Sequence, residues 1–310
     1  MVEEALARAW PSLKIAIEVI RSRGDHELII PSENASLART EGSGENYLKG
    51  FAAGSLDFAR DDPTAGRKGI FTAELERALT EKRIDVAVHS AKDLPSEIRG
   101  GLTITAVLPR GAAEDLLLRK SAARTPIVTI ATGSVRRERQ ARWINPAARI
   151  VGLRGNVPTR LRKFIESDWD AIILARAGLA RLGFCPPEFE FEKQRLFAEI
   201  LALENFLPAG GQGVVALQTR AADLPIGKIV SSIDDQKTHL CLRAEREFLR
   251  LLQGDCDLPV GVHARFVDGE MELRAQVFGD AVAPETASGR GNNPEKLAAE
   301  VFRKVEHKHE

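Results

Sequence analysis

The chain has 310 residues, of which 44% are hydrophobic, 28% charged and only 5% aromatic, with 44 basic and 44 acidic side chains. That length predicts two or three domains, since one hydrophobic core seldom grows past about 200 residues. The composition excludes an extended disordered chain, a collagen-like repeat and a disulfide-stapled miniprotein, and a net charge of zero counts against a dedicated nucleic-acid binder.

The opening MVEEALARAW lacks the basic and apolar regions of a secretory signal, so the cytoplasm is the expected location. No apolar run reaches the roughly 18 residues that would suggest a membrane-spanning helix. Residues 13–20 (LKIAIEVI) alternate apolar and charged side chains and predict a strand. Over 21–67 the pattern breaks into Gly, Ser, Asn and Asp, including EGSGEN and DDPTAG, which predicts a long functional loop. Residues 69–82 place Ile70, Phe71, Leu75, Ala78 and Leu79 on one helical face. IDVAVHS then predicts a buried strand leading into AKDLPSE.

The centre repeats one unit three times: IVTIATG then SVRRERQARWI, ARIVGLRGN then VPTRLRKFIES, DAIILA then RAGLARLG. Apolar strand, short turn and amphipathic helix in succession predict a parallel α/β sheet with right-handed crossovers. LPAGGQGVVALQT returns to strand character, and a helix is expected over 234–253. In VGVHARFVDGEMELRAQVFGD, a DG turn between alternating runs predicts a β-hairpin. A final helix is expected over 294–307. The reading is two α/β domains followed by a small antiparallel α+β domain.

Charge is unevenly placed. Residues 130–182 hold eleven basic side chains, ten of them arginine, against four acids. Arginine's planar fork binds carboxylate or phosphate in bidentate fashion. Arg136, Arg137 and Arg154 fall at the C-terminal ends of expected parallel strands, where open α/β sheets bind ligands and helix N-termini add N–H donors. This predicts a site for a multiply anionic ligand, whereas Arg139, Arg142, Arg162 and Lys163 read as a solvated helix face. Asp93, beside Lys92 after IDVAVHS, is either a carboxylate poised to stabilise a cation or pass a proton, or a structural loop acid. Cys185, Cys241 and Cys256 form no C-x-x-C pair and the six histidines show no ligand spacing, so neither a disulfide framework nor a metal site is expected. Cys256 lies in a loop between Asp255 and Asp257, surroundings that disfavour a thiolate.

Seven ordered motifs, GRKGIFTAELERAL, DVAVHSAKDLPSE, ATGSVRRERQ, LRGNVPTRL, AIILARAGLARLG, LPAGGQGVVAL and GDCDLPVGVHA, make the chain resemble the hydroxymethylbilane synthase (porphobilinogen deaminase) family, densely over residues 66–275. The resemblance implies two α/β domains like type-II periplasmic binding proteins, here 1–108 with 209–231 and then 109–208, and a C-terminal α+β domain over 232–310. It implies stepwise head-to-tail joining of four porphobilinogen molecules with loss of ammonia, giving linear hydroxymethylbilane. It implies a dipyrromethane cofactor held by a thioether to Cys256, with Asp93 as catalytic carboxylate and Lys92 beside it. Arg136, Arg137, Arg154 and Arg160 match cofactor-binding positions, and Arg154, Arg160, Arg181, Phe71 and Lys68 match substrate-binding ones. A monomer is expected, with no nucleic-acid or membrane partner. The chemistry agrees with the arginine count, because every pyrrole unit adds an acetate and a propionate.

Two departures stand out. The family opens with a strand ending in a T-R-x-S-x-L-A-like motif, whereas MVEEALARAW enters a helical pattern in its middle. The 21–67 segment is longer than the usual loop, and Thr64 stands where many members carry lysine. The expectation is a first domain lacking its first strand by N-terminal truncation, unless part of 21–67, such as HELII, fills the gap. The alternative to an active transferase is a weakly active or inactive homologue acting as an anion-binding protein.

Overall fold

A computed structural model describes residues 1–17, 47–53, 69–122, 126–252, 259–281 and 283–306. Helix α1 (Val2–Ala9) leads to β1 (Lys14–Ile17), and the described chain resumes at β2 (Tyr47–Ala53). Helix α2 (Gly69–Thr80) follows and buries Leu75, Ala78 and Leu79, as its periodicity predicts. Next come β3 (Val86–Ser90), a 3₁₀ turn at Ala91–Asp93, β4 (Leu102–Val107) and β5 (Asp115–Arg119).

The three strand–helix repeats are β6 (Thr129–Ala131) with α3 (Val135–Ile144), β7 (Arg149–Val151) with α4 (Val157–Glu166), and β8 (Ala171–Ala175) with α5 (Arg176–Arg181). The side chains of Ser134 and Asn156 accept the backbone N–H groups of Arg137 and Thr159. Such caps start α3 and α4 directly after their strand-end turns. The chain continues through β9 (Glu188–Phe191), β10 (Gln194–Leu201), β11 (Val215–Arg220), α6 (Leu224–Ser231) and α7 (Gln236–Leu251). It closes with β12 (Val260–Val267), β13 (Glu270–Val277), β14 (Glu285–Gly291) and α8 (Pro294–Glu306).

Three sheets organise the molecule. The first runs β1-β2-β3-β11-β4, the second β7-β6-β8-β5-β10-β9, and the third β12-β13-β14. The predicted parallel pairing holds for β6 with β7 and with β8. The sheets are nevertheless mixed: β11 is antiparallel to β3 and β4, and β5 is antiparallel to β8 and β10. The hairpin turns at Asp268 and Gly269, whose φ values of +52° and +87° suit the Asp-Gly pair read from the sequence.

The expectation of one unbroken loop over 21–67 is corrected. Residues 47–53 form a strand parallel to both β1 and β3, Phe51 aligning with Ile17 on one side and Val86 on the other. The place between β1 and β3 is therefore filled by this segment. HELII lies outside the described residues. The largest buried apolar groups include Leu6, Val86, Val88, Leu108 and Leu217 at the first sheet; Leu116, Leu118, Leu161, Phe164 and Ile172 at the second; and Phe248, Val262, Leu273 and Val301 between the third and its helices.

Candidate active site

Two chain crossings join the first and second sheets, residues 108–114 outward and 207–214 on return. They are stitched to each other by backbone bonds, Leu108 N–H to Val215 O and Gly111 N–H to Gly213 O, both 3.0 Å. The Gly-Gly-Gln-Gly run at 210–213 sits inside this hinge, and each residue has a distinct contact.

Gly211 touches the turn that carries Asp93. Its φ is +75°, and a Cβ there would lie 2.9 Å from Ala91 C and Lys92 N. Ala91 N–H in turn donates to Val214 O at 3.0 Å. The five buried residues of β3 thus deliver Lys92 and Asp93, both half-buried, onto the hinge. Among the described residues no hydrogen bond reaches the Asp93 carboxylate, and its charge is felt by His89 on the same strand.

Gln212, 1% exposed, turns to the second sheet. Its Nε2 donates to Asp115 Oδ1 at 2.9 Å and to Ala113 O at 2.7 Å. Asp115, fully buried at the start of β5, also accepts from Arg136 Nη2 (2.8 Å) and from Arg137 Nη2 (2.8 Å) and Nε (3.2 Å). Burial opposes its charge, but the Arg136 and Arg137 guanidiniums outweigh burial and hold the carboxyl well below the usual carboxylate range. Burial also lowers the Arg136 guanidinium, with Asp115 opposing.

The sequence reading placed Arg136 and Arg137 with Arg154 as ligand-facing strand-end arginines. All three do follow parallel strands, but the first two are spent largely on the protein. Arg137 Nη1 donates to Ile173 O and Arg136 Nη1 to Leu207 O. Buried donors must be paired, and in these two guanidiniums Arg136 Nε has no partner among the described residues. Two guanidiniums share one carboxylate here, so the cluster keeps a positive charge. Arg154 differs: it is exposed, and among the described residues no acid pairs with it. Its loop is pressed against the Thr132–Ser134 turn, since a Cβ on Gly133 would lie 2.3 Å from Leu153 O. Arg160, half-buried on α4, donates from Nε to Gly155 O at 2.6 Å. Arg181 is half-buried at the far end of α5. Of the residues expected on a solvated helix face, Arg142, Arg162 and Lys163 are exposed and Arg139 is half-buried, with Arg142 paired to Glu138 and Arg162 to Glu192.

Phe71 lies in the first turn of α2; Lys68 and Cys256 are outside the described residues. The chain on either side of 253–258 is nonetheless anchored on the hinge. A Cβ at Gly210 would meet Leu249 of α7 and Val262 of β12, and one at Gly261 would meet Leu207. Cys241 is buried, which pushes its thiol up to about 12, and Cys185 is exposed. Among the described residues no cluster of potential metal ligands occurs, and no helix is long and apolar enough to cross a membrane.

The sequence reading missed the pair that binds the C-terminal unit to this hinge. Glu245, 0% exposed on α7, accepts from Arg110 Nη1 (2.5 Å), Gly211 N–H (2.7 Å) and Ala264 N–H (2.7 Å). Arg110 Nε continues to Gln212 O at 2.9 Å. A signal existed: Glu245 shares a helical face with Cys241, Leu242 and Phe248, and an acid on an apolar face needs a buried partner.

A family model described as porphobilinogen deaminase, dipyromethane cofactor binding domain, matches residues 55–228, and the C-terminal domain of porphobilinogen deaminase matches 239–306. The porphobilinogen deaminase of Syntrophobacter fumaroxidans is 33% identical over 307 residues, covering 97% of this chain and 87% of its own. That of Moorella thermoacetica is 34% identical over 311 residues, covering 98% and 87%. That of Xylella fastidiosa is 41% identical over 216 residues, covering 68% of each.

The chain belongs to the porphobilinogen deaminase family.

A porphobilinogen deaminase is a transferase of tetrapyrrole biosynthesis that makes hydroxymethylbilane from porphobilinogen, and the matched domain is the one that binds dipyrromethane. Likeness to solved structures is low, as with the Bordetella pertussis BvgS periplasmic VFT2 domain (TM-score 0.33, 15% identity, 52% of this chain and 66% of that one). The residues fit a polycarboxylate cofactor on two structural grounds. The Asp115 cluster holds two guanidiniums against one carboxylate with Arg136 Nε unpartnered, and exposed Arg154 is pressed against the same strand-end turn.

Proposed function

We propose that Asp93 is the catalytic carboxylate and that Cys256 anchors the dipyrromethane through a thioether. The single observation that supports this most is the 210–213 hinge, where Gly211 abuts the Asp93 turn and the adjacent Gln212 binds the Asp115–Arg136–Arg137 cluster. The turn carrying a negative group that meets developing cationic charge and a positive cluster that meets carboxylates thus rest on adjacent residues of one hinge. When bound, the cofactor supplies the pyrrole terminus on which the chain is extended.

The chain's own residues then divide the work. Asp93 sets its carboxylate against the positive charge that develops on the substrate carbon as ammonia departs. Lys92 lies beside it. Arg154, Arg160 and Arg181 pair with pyrrole acetates and propionates, while Arg136 and Arg137 supply the fixed positive field behind them and Phe71 and Lys68 border the substrate. The domains in this proposal are 1–108 with 209–231, 109–208, and 232–310, a division supported by sheet membership, since β11 joins the first sheet and β5–β10 the second. The enzyme acts as a cytoplasmic monomer.

Intact-mass measurement tests the anchor. The purified chain should carry a two-pyrrole adduct that is lost in Cys256→Ser and kept in Cys185→Ser and Cys241→Ser. An adduct that survives Cys256→Ser overturns the assignment.

A further inference from the structure

A cavity of about 360 Å³ lies apart from the hinge, between the 96–104 stretch and the outer face of α7. Its volume is that of a small-ligand site. Three arginines of α7 border it, and they are not equivalent. Arg243 pairs with Glu295 at 2.7 Å and Arg250 with Glu247 at 2.7 Å. Arg246 lies between them, more deeply placed, and among the described residues no acid forms an ion pair with it. Its Nη2 donates to Pro95 O (2.7 Å) and Ser96 O (2.9 Å), the guanidinium's only hydrogen-bond partners among the described residues. Burial without a counter-charge pulls it down to about 10, far from arginine's ordinary value.

A guanidinium in such a place is half of an ion pair. The rest of the lining says what the other half carries. Ile98, Ile104 and Leu242 form an apolar wall. With Glu247 and Glu295 already set against Arg250 and Arg243, the cavity has one positive charge to spare. A dianion would meet two carboxylates and a dry wall; a monoanion with an apolar body meets neither penalty.

We propose that this cavity binds a small organic monocarboxylate, its carboxylate on Arg246 and its apolar body against Ile98, Ile104 and Leu242. Pro95 and Ser96 follow Asp93 by two and three residues, and α7 runs on to the segment holding Cys256. A ligand that draws on Arg246 therefore acts on both sides of the reaction centre. This consequence rests on the catalytic reading above; the binding itself does not.

The test uses the purified holoenzyme with benzoate as the probe, followed by calorimetry and by ligand-detected NMR. Saturable binding at one site is expected, weakened at least about tenfold in Arg246→Gln, the scale of losing one charge-assisted contact. Ile104→Trp, which fills the cavity and leaves Arg246 in place, should weaken it equally. Binding should persist in Arg154→Ala, and equimolar inorganic phosphate should not displace the probe. No saturable binding, unchanged affinity in either cavity variant, loss of binding in Arg154→Ala, or displacement by phosphate would each overturn the proposal. The Cys256→Ser adduct measurement is untouched by any of these results, so the two readings fail separately.

Discussion

Replacing Gly211 by alanine tests whether the hinge positions the turn that carries Asp93. The wild-type φ of +75° costs an alanine about 1–2 kcal/mol. The added Cβ would also stand 2.9 Å from Ala91 C and Lys92 N and 3.0 Å from Ala91 Cβ. Ordinary carbon contacts lie at about 3.5–4.0 Å, so the shortfall is about 0.5–1 Å. Both atoms at 2.9 Å are backbone, and no rotamer change relieves them; the Ala91–Asp93 turn must move. A displacement of about 1 Å at reacting groups costs on the order of 10²-fold in rate. Gly211→Ala should therefore lower kcat by about 10–100-fold and the stability by about 2 kcal/mol, read by steady-state turnover and by urea denaturation. Gly210→Ala is the control. Its Cβ would meet side chains alone, Leu249 Cδ1 (2.9 Å), Val262 Cγ1 (3.0 Å) and, at ordinary contact distance, Glu245 Cβ (3.7 Å); no backbone of the Asp93 turn is displaced, so its kcat should stay within about threefold of wild type. A Gly211→Ala enzyme with wild-type kcat would refute the positioning argument, whatever its stability.

Asp93→Asn should cut turnover by about 10²–10⁴-fold with an unchanged melting midpoint; a near-normal rate removes Asp93 from the chemistry. Glu245→Gln leaves Arg110 buried without its counter-charge and should cost about 3–5 kcal/mol in urea denaturation. A loss under about 1 kcal/mol, the worth of a solvated pair, would show that the ion pair does not hold the hinge. His89 and His263 are each pushed down to about 4 by burial, so between their ordinary value near 6.5 and 4 the unfolded chain takes up protons that the folded chain refuses. Their contribution is complete above about pH 6.5 and is lost as pH falls toward 4, about 1–2 kcal/mol per histidine by pH 5. Urea midpoints at pH 7 and 5 measure this, and an equal pH dependence in His89→Gln would exclude His89 as a source.

The strand–helix repeats were legible because each is written in consecutive residues. TIA, SVRRERQARWI and the capping Ser134 specify strand, turn and helix without help from elsewhere, and the same holds for Asn156 before α4. The Asp268–Gly269 hairpin is equally local. What escaped was long-range. β11 reads as a strand, but nothing in VALQTR says that it inserts antiparallel between β3 and β4. Tyr47–Ala53 sits in a Gly-rich, charged stretch with weak strand character, and its assignment comes from the partners β1 and β3 on either side.

The order of residues along the chain already carries the chemical inventory: a carboxylate after a buried strand, arginines after parallel strands, a cysteine in a loop between a helix and a hairpin, and motifs specific enough to name the family. It could not say which arginines are spoken for. Arg136, Arg137 and Arg154 look alike in the chain, yet the first two close on Asp115, 21 and 22 residues away, and Arg154 does not. Glu245 reads as one acid on a helix and becomes the buried partner of Arg110, 135 residues distant. Local propensity and periodicity act over a few residues, so they are written in the chain. Burial and counter-charge are set by whichever strand or helix arrives from afar, and only the tertiary structure decides them.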